Sequence, residues 1–498
     1  MGVLEVVQRI RQRVMVEMLD LDPIAEPPAP RAEWPQWSKD GDEDIKIRVL
    51  SLNAWGLPVA PKVTERAVEI ANAIDGDFEI VVLQEIWHRR ERNLLISRAE
   101  QVGFHYYHYF NPAIGFPVPL GHDSFGTGLL VLSKFPIAGV LYHSFALSGR
   151  PYALHEADFV ANKGAGLLRV QTPAGEIDLY VTHLLANYNA LGAPGPGDRY
   201  LSHRTGQSYE LARFIAATNK NSLTIVCGDF NSPSDSIELR IPKELVQLRD
   251  AFTDTNNHDG LTFGTEDNKY SFGDHPMRMD YVLYKIAKQP QRQQSKDQRS
   301  WQLVASDVFK GFFTDKRGEK TPLSDHFGVK AEFIFGPHRP QPCEELSGEE
   351  VSSSSSSSST TDVRSCLTTT CVHCDEVEGT KYLANSYPHS VKVLQEVQQL
   401  ILQGRARAIM RRSGHLRRSG LSFLAVLFII VARILLFDSS LSSSFWSWLA
   451  LMALTIVGLS EYILAFFFVT LECSTFTELA NQVRLHLYAE QANEDAGL

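Results

Sequence analysis

Six cysteines in 498 residues are too few and too clustered to form a disulfide framework. Cys366, Cys371 and Cys374 fall with His373 in SCLTTTCVHC. A structural zinc site needs two well-spaced ligand pairs, so these thiols read as free cysteines of a linker. No GxxxxGK[ST] loop is present, which excludes P-loop nucleotide hydrolysis. No GxSxG elbow is present either, which excludes the nucleophile geometry of the α/β-hydrolases. The opening GVLEVVQRIRQRVMVEML carries Glu5, Arg9, Arg11, Arg13 and Glu17 and lacks the apolar core of a signal peptide. MGVLEVV also lacks the Ser or Thr that myristoylation expects at position six. That segment reads either as an amphipathic helix or as a loose extension before AEPPAPRAEWP. Net positive charge is missing too: the formal charge is -10, which argues against nucleic acid as the main partner.

What is present is a globular composition, 44% hydrophobic and 21% charged, in a chain longer than one ordinary domain needs. Between Ile45 and Pro337, β-type runs recur: IKIRVLSLNAW, FEIVVLQEIW, GTGLLVLSKFPI, GAGLLRVQT, EIDLYVTHLL, SLTIVCGDF, MDYVLY and HFGVKAEFIF. They are rich in β-branched and aromatic residues and bounded by Gly, Pro, Asn or Asp. VTERAVEIANAI and HRTGQSYELARFIAATN carry apolar residues at helical spacing. Many strands with few helices predict an α/β sandwich of two packed sheets flanked by helices. A TIM barrel would need a helix after every strand.

After Pro342 the composition changes. EELSGEEV and the serines Ser352 to Ser359 bury too little apolar area to fold and read as a flexible linker. The expected division is an N-terminal extension (1–44), a catalytic domain (45–337), a Ser-rich linker (338–388) and a basic juxtamembrane helix (389–420). Two transmembrane helices (421–437 and 445–471) and a tail (472–498) complete it. The first span, Leu421 to Phe437, is at the short end of the roughly 17–25 residues a bilayer helix needs, and the second, Phe445 to Leu471, is long. Arginines 405, 407, 411, 412, 417 and 418 precede the first span and should face the cytosol. A two-pass hairpin with a cytosolic catalytic domain follows, with the endoplasmic reticulum or another intracellular membrane as its expected location. Arg433 and Glu461 lie inside the spans but offset by about 18 Å along the helix axes, so they are not expected to pair. Arg433 should snorkel outward, and Glu461, near mid-depth, should be protonated or bonded to a helix.

Polar residues gather at the ends of the predicted strands. Asn53, Glu85 and His183 close three of them, Asp229 and Asn231 follow a fourth, and Asp280 and Asp325-His326 open two more. Each alone reads more readily as a cap or turn former. Together they imply a shared cleft, because one set of strand ends in a sandwich converges. Hard oxygen donors without a cysteine or multi-histidine set suit Mg²⁺. Two histidines beside carboxylates suit acid–base work near neutral pH. Metal-assisted hydrolysis of a phosphate ester by attacking water is the reaction class these types favour.

SLNAWGLP, VVLQEIW, NKGAGLLRV, YVTHL, CGDFNSP, MDYVLY and LSDHFGV, in that order, resemble the DNase I-like Mg²⁺-dependent phosphodiesterase superfamily, over about residues 45–337. LNAWGLP, LQEIW, DRYLSHRTGQSYEL and the two apolar spans narrow the resemblance to the neutral sphingomyelinases of the short, two-helix type. The resemblance implies a four-layer α/β/β/α sandwich with Mg²⁺ on Glu85, helped by Asn53. It implies that His326 is the general base, oriented by Asp280, and that Asp229 and Asn231 position water and phosphoryl oxygens. His183 would donate to the phosphorane, Asp325 would support the metal or histidine network, and Lys163 would contact phosphate or serve as a solvated turn lysine. The expected reaction is hydrolysis of sphingomyelin or a related phosphosphingolipid, in a phospholipid bilayer, to ceramide and phosphocholine. Lysophospholipids, a tethered nuclease, an inositol-phosphate phosphatase and a catalytically dead membrane scaffold are the alternatives. Inositol 5-phosphatases carry Tyr-Arg after their GDxN motif, where this chain has Ser-Pro.

The topology makes a direct prediction. In sealed vesicles with the cytosolic face outward, protease should digest residues 45–337, and a protected catalytic domain would refute the orientation.

Overall fold

Hydrophobic residues alternate along the strand runs, and the two alternate sets are buried against different layers. The computed structural model describes residues 35, 44–74, 76–111, 126–150, 153, 156, 158–188, 197–287, 299–337, 379–436 and 441–496. Nearly all of the N-terminal extension, the serine tract and the Cys366–Cys374 cluster with His373 lie outside the described residues. In chain order the strands are β1 (Ile45–Asn53), β2 (Ile80–Gln84), β3 (Tyr106–Tyr109), β4 (Leu130–Ser133), β5 (Ile137–Ser144), β6 (Gly164–Thr172) and β7 (Gly175–His183). There follow β8 (Leu223–Asp229), β9 (Arg249–Asp250), β10 (Asp280–Ile286), β11 (Arg299–Phe309), β12 (Phe312–Thr314), β13 (Lys320–Pro322) and β14 (Gly328–Pro337).

Two six-stranded sheets result, ordered β11-β14-β1-β2-β4-β3 and β5-β6-β7-β8-β10-β9. Ile47, Val49, Ile80 and Val82 of the first sheet meet Leu179, Val181, Ile225 and Cys227 of the second in one buried layer. The alternate residues Leu50, Leu52, Val81 and Leu83 turn outward, packing with residues of α1 (Val63–Ala73) and α2 (Arg89–Gln101). On the opposite side, Leu167, Tyr180 and Val226 pack with α4 (Leu201–Thr218) and α5 (Ile237–Leu245). A short α3 (Asp158–Ala161) precedes β6. This is the four-layer DNase I-like sandwich. The expected strands and both expected helices are present. The charged α2 and the edge strand β11 were not anticipated, because their apolar periodicity is weak, and nor was α5, a short helix with Pro242 inside it.

Within this frame β1 pairs parallel to β2, and β7 parallel to β8. Within each pair the carboxyl-terminal ends point the same way, and the Asn53–Asp229 contact brings the two pairs of ends together. The antiparallel neighbours β10 and β14 bring their first residues to that edge, with Asp280 directly opposite Asp229 and Val329 opposite Ser51. The convergence anticipated from the strand ends is a consequence of strand direction.

The carboxyl-terminal region is helical: α6 (Gly379–Leu436), α7 (Leu441–Ile463), a π-helical stretch (Leu464–Val469) and α8 (Thr470–Ala496). The basic segment and the first apolar run thus form one continuous helix of 58 residues. Two of these helices are long and apolar enough to cross a membrane. Of the two states expected for Glu461, protonated or bonded to a helix, the structure has it bonded to a helix. Its carboxylate accepts from His415 Nδ1 at 2.6 Å and pairs with Arg418 Nη2 at 3.0 Å, both on the neighbouring α6.

Gly228, within the CGDFN stretch, faces Thr182 across the β7–β8 pairing. A Cβ there would lie 2.0 Å from the Thr182 carbonyl oxygen, so only glycine allows the two strands to approach. Gly228→Ala should cost at least about 2 kcal/mol, read as a lowered urea midpoint with an unchanged m-value.

Candidate active site

The site is built where the two sheets meet. Asn53, the last residue of β1, sends its Nδ2 to Glu85 Oε1 and to Asp229 Oδ2, each at 3.0 Å. Its Oδ1 accepts from the Trp55 amide at 2.9 Å, so the side-chain amide bridges two carboxylates from different sheets. Glu85 follows β2 in a left-handed conformation with φ 60°. Asn231, with φ 49°, is bent in the same way, and its amide donates to Asp229 Oδ1 at 2.8 Å. Trp55, with φ 48°, lines the same cleft, and three non-glycine residues with positive φ there indicate backbone strain retained at a functional site. The strand's alternation does not extend past Asp229, because the chain turns there. The turn still leaves Asp229 and Asn231 at the cleft.

His326 Nδ1 donates to Asp280 Oδ2 at 2.9 Å, which fixes the tautomer with Nε2 free toward Asp229 Oδ2, 4.0 Å away. Phe263 packs against the imidazole with centroids 4.9 Å apart. His183, at the end of β7, is 3.5 Å from Asp229 Oδ2. Its Nε2 receives Lys163 Nζ at 3.0 Å, and the same ammonium bonds Leu184 O at 2.9 Å and Asp158 Oδ1 at 2.8 Å. Lys163 is 3% exposed, which decides against a solvated turn residue. Asp325 lines the cleft, with Oδ1 bonded by Ser324 Oγ at 3.1 Å.

All nine residues singled out in the sequence lie at this edge. The cleft opens into a cavity of about 420 Å³ walled by Trp55, Leu57, Trp87, Met277 and Met279 as well as the polar set. Sequence reading missed Asp158 and Tyr188, whose hydroxyl donates to Asp158 Oδ2 at 2.6 Å. Neither sits at a strand end, and only the nearby NKG turn hinted at them. It also missed Arg66, wholly buried in α1, which donates to Ala54 O, Trp55 O and Leu323 O. That guanidinium ties the loop after β1 to the segment that carries Asp325 and His326.

The electrostatics are those of crowded carboxylates. Burial pushes Glu85 up, raises Asp229 to about 6 with help from the Asp280 charge, and raises Asp325 to about 7. Burial, reinforced by Lys163 and His326, drives His183 well below its ordinary value and keeps it neutral. Burial opposes charge on His326 as well, but Asp280, Asp229 and Asp325 outweigh it and lift the imidazole well above 6.5. Asp280 Oδ1 is buried and has no hydrogen-bond partner among the described residues. Ligand atoms of Asp229, Asp280 and His326 lie within 4.8 Å of one another, and among the described residues Glu85 Oε2 accepts only from the Trp87 indole, at 3.5 Å. Buried oxygen donors short of positive charge fit a hard divalent cation.

The family model described as endonuclease/exonuclease/phosphatase matches residues 50–326. Sphingomyelin phosphodiesterase 2 of Homo sapiens is 30% identical over 313 residues, 59% of this chain and 66% of that protein. Inositol phosphosphingolipids phospholipase C of Saccharomyces cerevisiae is 26% identical over 237 residues, 43% of this chain and 47% of that one. The matches therefore span just under two thirds and about half of the lengths of these relatives. The crystal structure of sphingomyelinase C from Streptomyces griseocarneus aligns at 21% identity over 59% of this chain and 99% of its own, with a TM-score of 0.42.

The raised His326 value carries a sign. A base whose folded pKa exceeds its unfolded value of about 6.5 stabilises the fold in full below that pH. The contribution fades as pH rises through the folded value. In EDTA, the stability gap between the native chain and His326→Gln should therefore narrow with rising pH, by at most about 1.4 kcal/mol per unit. A gap that widens with pH would show that the imidazole is buried neutral.

Proposed function

The chain belongs to the endonuclease/exonuclease/phosphatase family, and from that premise we propose that it is a membrane-anchored phosphodiesterase. It cleaves phosphosphingolipids such as sphingomyelin to ceramide and phosphocholine. One observation carries the reading: the Asp280–His326 pair faces Asp229 and Glu85 across a buried cleft with an apolar rim. The names of the human and yeast relatives support a phosphosphingolipid as substrate. The two apolar helices support residence at a bilayer, where anchoring raises the effective concentration of headgroups.

In this mechanism His326 Nε2 takes a proton from the attacking water as its oxygen bonds phosphorus, and the ceramide oxygen released as its P–O bond breaks takes a proton from solvent. Asp280 holds Nδ1 and stabilises the imidazolium that forms, as a carboxylate does for a catalytic histidine. Asp229 and Asn231 orient the water and the phosphoryl oxygens. Lys163, held by Asp158 against neutral His183, supplies the ammonium that faces charge building on the nonbridging oxygens. This shifts to Lys163 much of the donor role that the sequence resemblance assigned to His183, whose Nε2 accepts a bond here. Glu85 would hold Mg²⁺, with Asn53 fixing its carboxylate, and Asp325 would lie beside it. A bound Mg²⁺ would neutralise a phosphate oxygen and offset the carboxylates that keep His326 protonated.

The yeast relative's name favours a second headgroup, inositol phosphate, on the same chemistry. Purified protein should release phosphocholine from sphingomyelin in detergent micelles with Mg²⁺ and not with EDTA. His326→Ala and Glu85→Gln should each lower kcat by about 10² or more while both variants stay folded, by circular dichroism, at the assay temperature. Release of inositol phosphate alone would move the substrate to the second headgroup. Nucleotides released from DNA, with neither headgroup liberated from lipid, would overturn the proposal.

A further inference from the structure

The helical segments that flank the two apolar runs are packed against the catalytic domain. Val397 and Ile401 of α6 and Phe476 and Val483 of α8 are buried in one cluster with Leu211 and Leu239 of the sandwich. Polar contacts register the fit. Ser202 Oγ donates to Leu400 O and accepts from Arg407 Nη2, both at 2.7 Å. Buried His203 lies 3.0 Å from Glu472 Oε1, and Arg411 bonds the same carboxylate. At Gly404 of α6, a Cβ would fall 2.6 Å from the Ser202 Cβ and from the Phe476 ring, so the surfaces meet without a gap.

The contact continues to the cleft. Phe468, in the π-helical stretch, meets Phe159 edge-on with ring centroids 5.8 Å apart. Phe159 belongs to α3 and follows Asp158, the partner of Lys163. The height of this contact is set by charge. Glu461 is paired with His415 and Arg418, and Arg412 and Arg417 are exposed on the same part of α6. Such a charged belt sits with lipid headgroups rather than acyl chains. Phe468 lies seven residues past Glu461, about 10 Å along a helix and away from the hydrocarbon.

We propose that residues 45–337 and the helical hairpin form one docked unit that seats the cleft beside the headgroup layer of the membrane holding its own anchor. The enzyme then hydrolyses lipids of that membrane and not of an apposed one. Residues 338–378 serve as a covalent link and do not set the reach. A free link of 41 residues would allow excursions of roughly 35 Å, a freedom the docked surfaces remove. The inference rests on the membrane reading proposed above, and its test separates the two.

The full chain, with a specific protease site in place of Ser352 to Ser359, is reconstituted in phosphatidylcholine vesicles containing sphingomyelin and then cut. The fragment bearing residues 45–337 should sediment with the vesicles in high salt. Sphingomyelin in separate acceptor vesicles should remain intact. Glu472→Lys, which sets a second positive group against Arg411 and removes the carboxylate beside His203, should release the fragment on cutting. Gly404→Leu, at another point of the contact, should do the same if the first variant fails to fold. Release of the cut fragment from the otherwise unaltered chain, or equal hydrolysis of acceptor vesicles, overturns the proposal. So does retention in both variants. Gel filtration of the cut chain in detergent reads docking without a membrane: co-elution of the two fragments is expected, and separation overturns it. An uncut chain that washes off the vesicles would count against the membrane reading alone.

Discussion

One side-chain amide joins the two sheets at the point where the chemistry is placed. Asn53 ends a strand of the first sheet, and its two donors reach Glu85 in that sheet and Asp229 in the other. Asp229 is buried and Glu85 largely so, and a carboxylate left unbonded in such a place carries a penalty of about several kcal/mol. The bridge requires the sheets to meet at a fixed spacing, which the layer of Ile47, Val49, Ile225 and Cys227 provides. Every other member of the site is located relative to this joint. Asp280 is in register with Asp229, His326 bonds Asp280, and His183 borders Asp229.

The site is held at a cost to stability. Glu85, Asn231 and Trp55 all have positive φ, and several carboxylates are buried close together. Elsewhere the fold over-determines these positions. Arg66 ties three loop carbonyls together from inside a helix, and the Gly228 approach keeps β7 and β8 in register. Such surroundings allow an unfavourable local geometry to persist. They also hold charge in place before substrate arrives, which is the largest source of catalytic stabilisation in polar clefts.

The helical region follows similar rules in a different setting. Its apolar faces have two destinations: the residues near Val397 and Phe476 are buried on the sandwich, whereas Leu424, Phe428 and Trp446 are exposed. The charged belt of His415, Arg418 and Glu461 lies between them. Glu461 looked costly when placed by counting along its own helix. Its partners come from a helix more than forty residues earlier, and no count along one span reveals them.

Strand positions, the alternation that separates the core layers and the identity of the polar strand-end residues are all local properties. They could be read directly, because side-chain direction follows from a period of two and turn residues mark the ends. The motif resemblance extended that reading to the fold and to a phosphodiesterase cleft. Tertiary structure decided the rest. Lys163 could be told from a surface lysine only by its burial against His183 and Asp158. Arg66, Tyr188 and the seating of the hairpin depend on partners distant in sequence. Short-range pattern determines which residues are available at a strand end, while long-range packing determines which groups they meet, because contact distance is fixed by the folded layers rather than by separation along the chain.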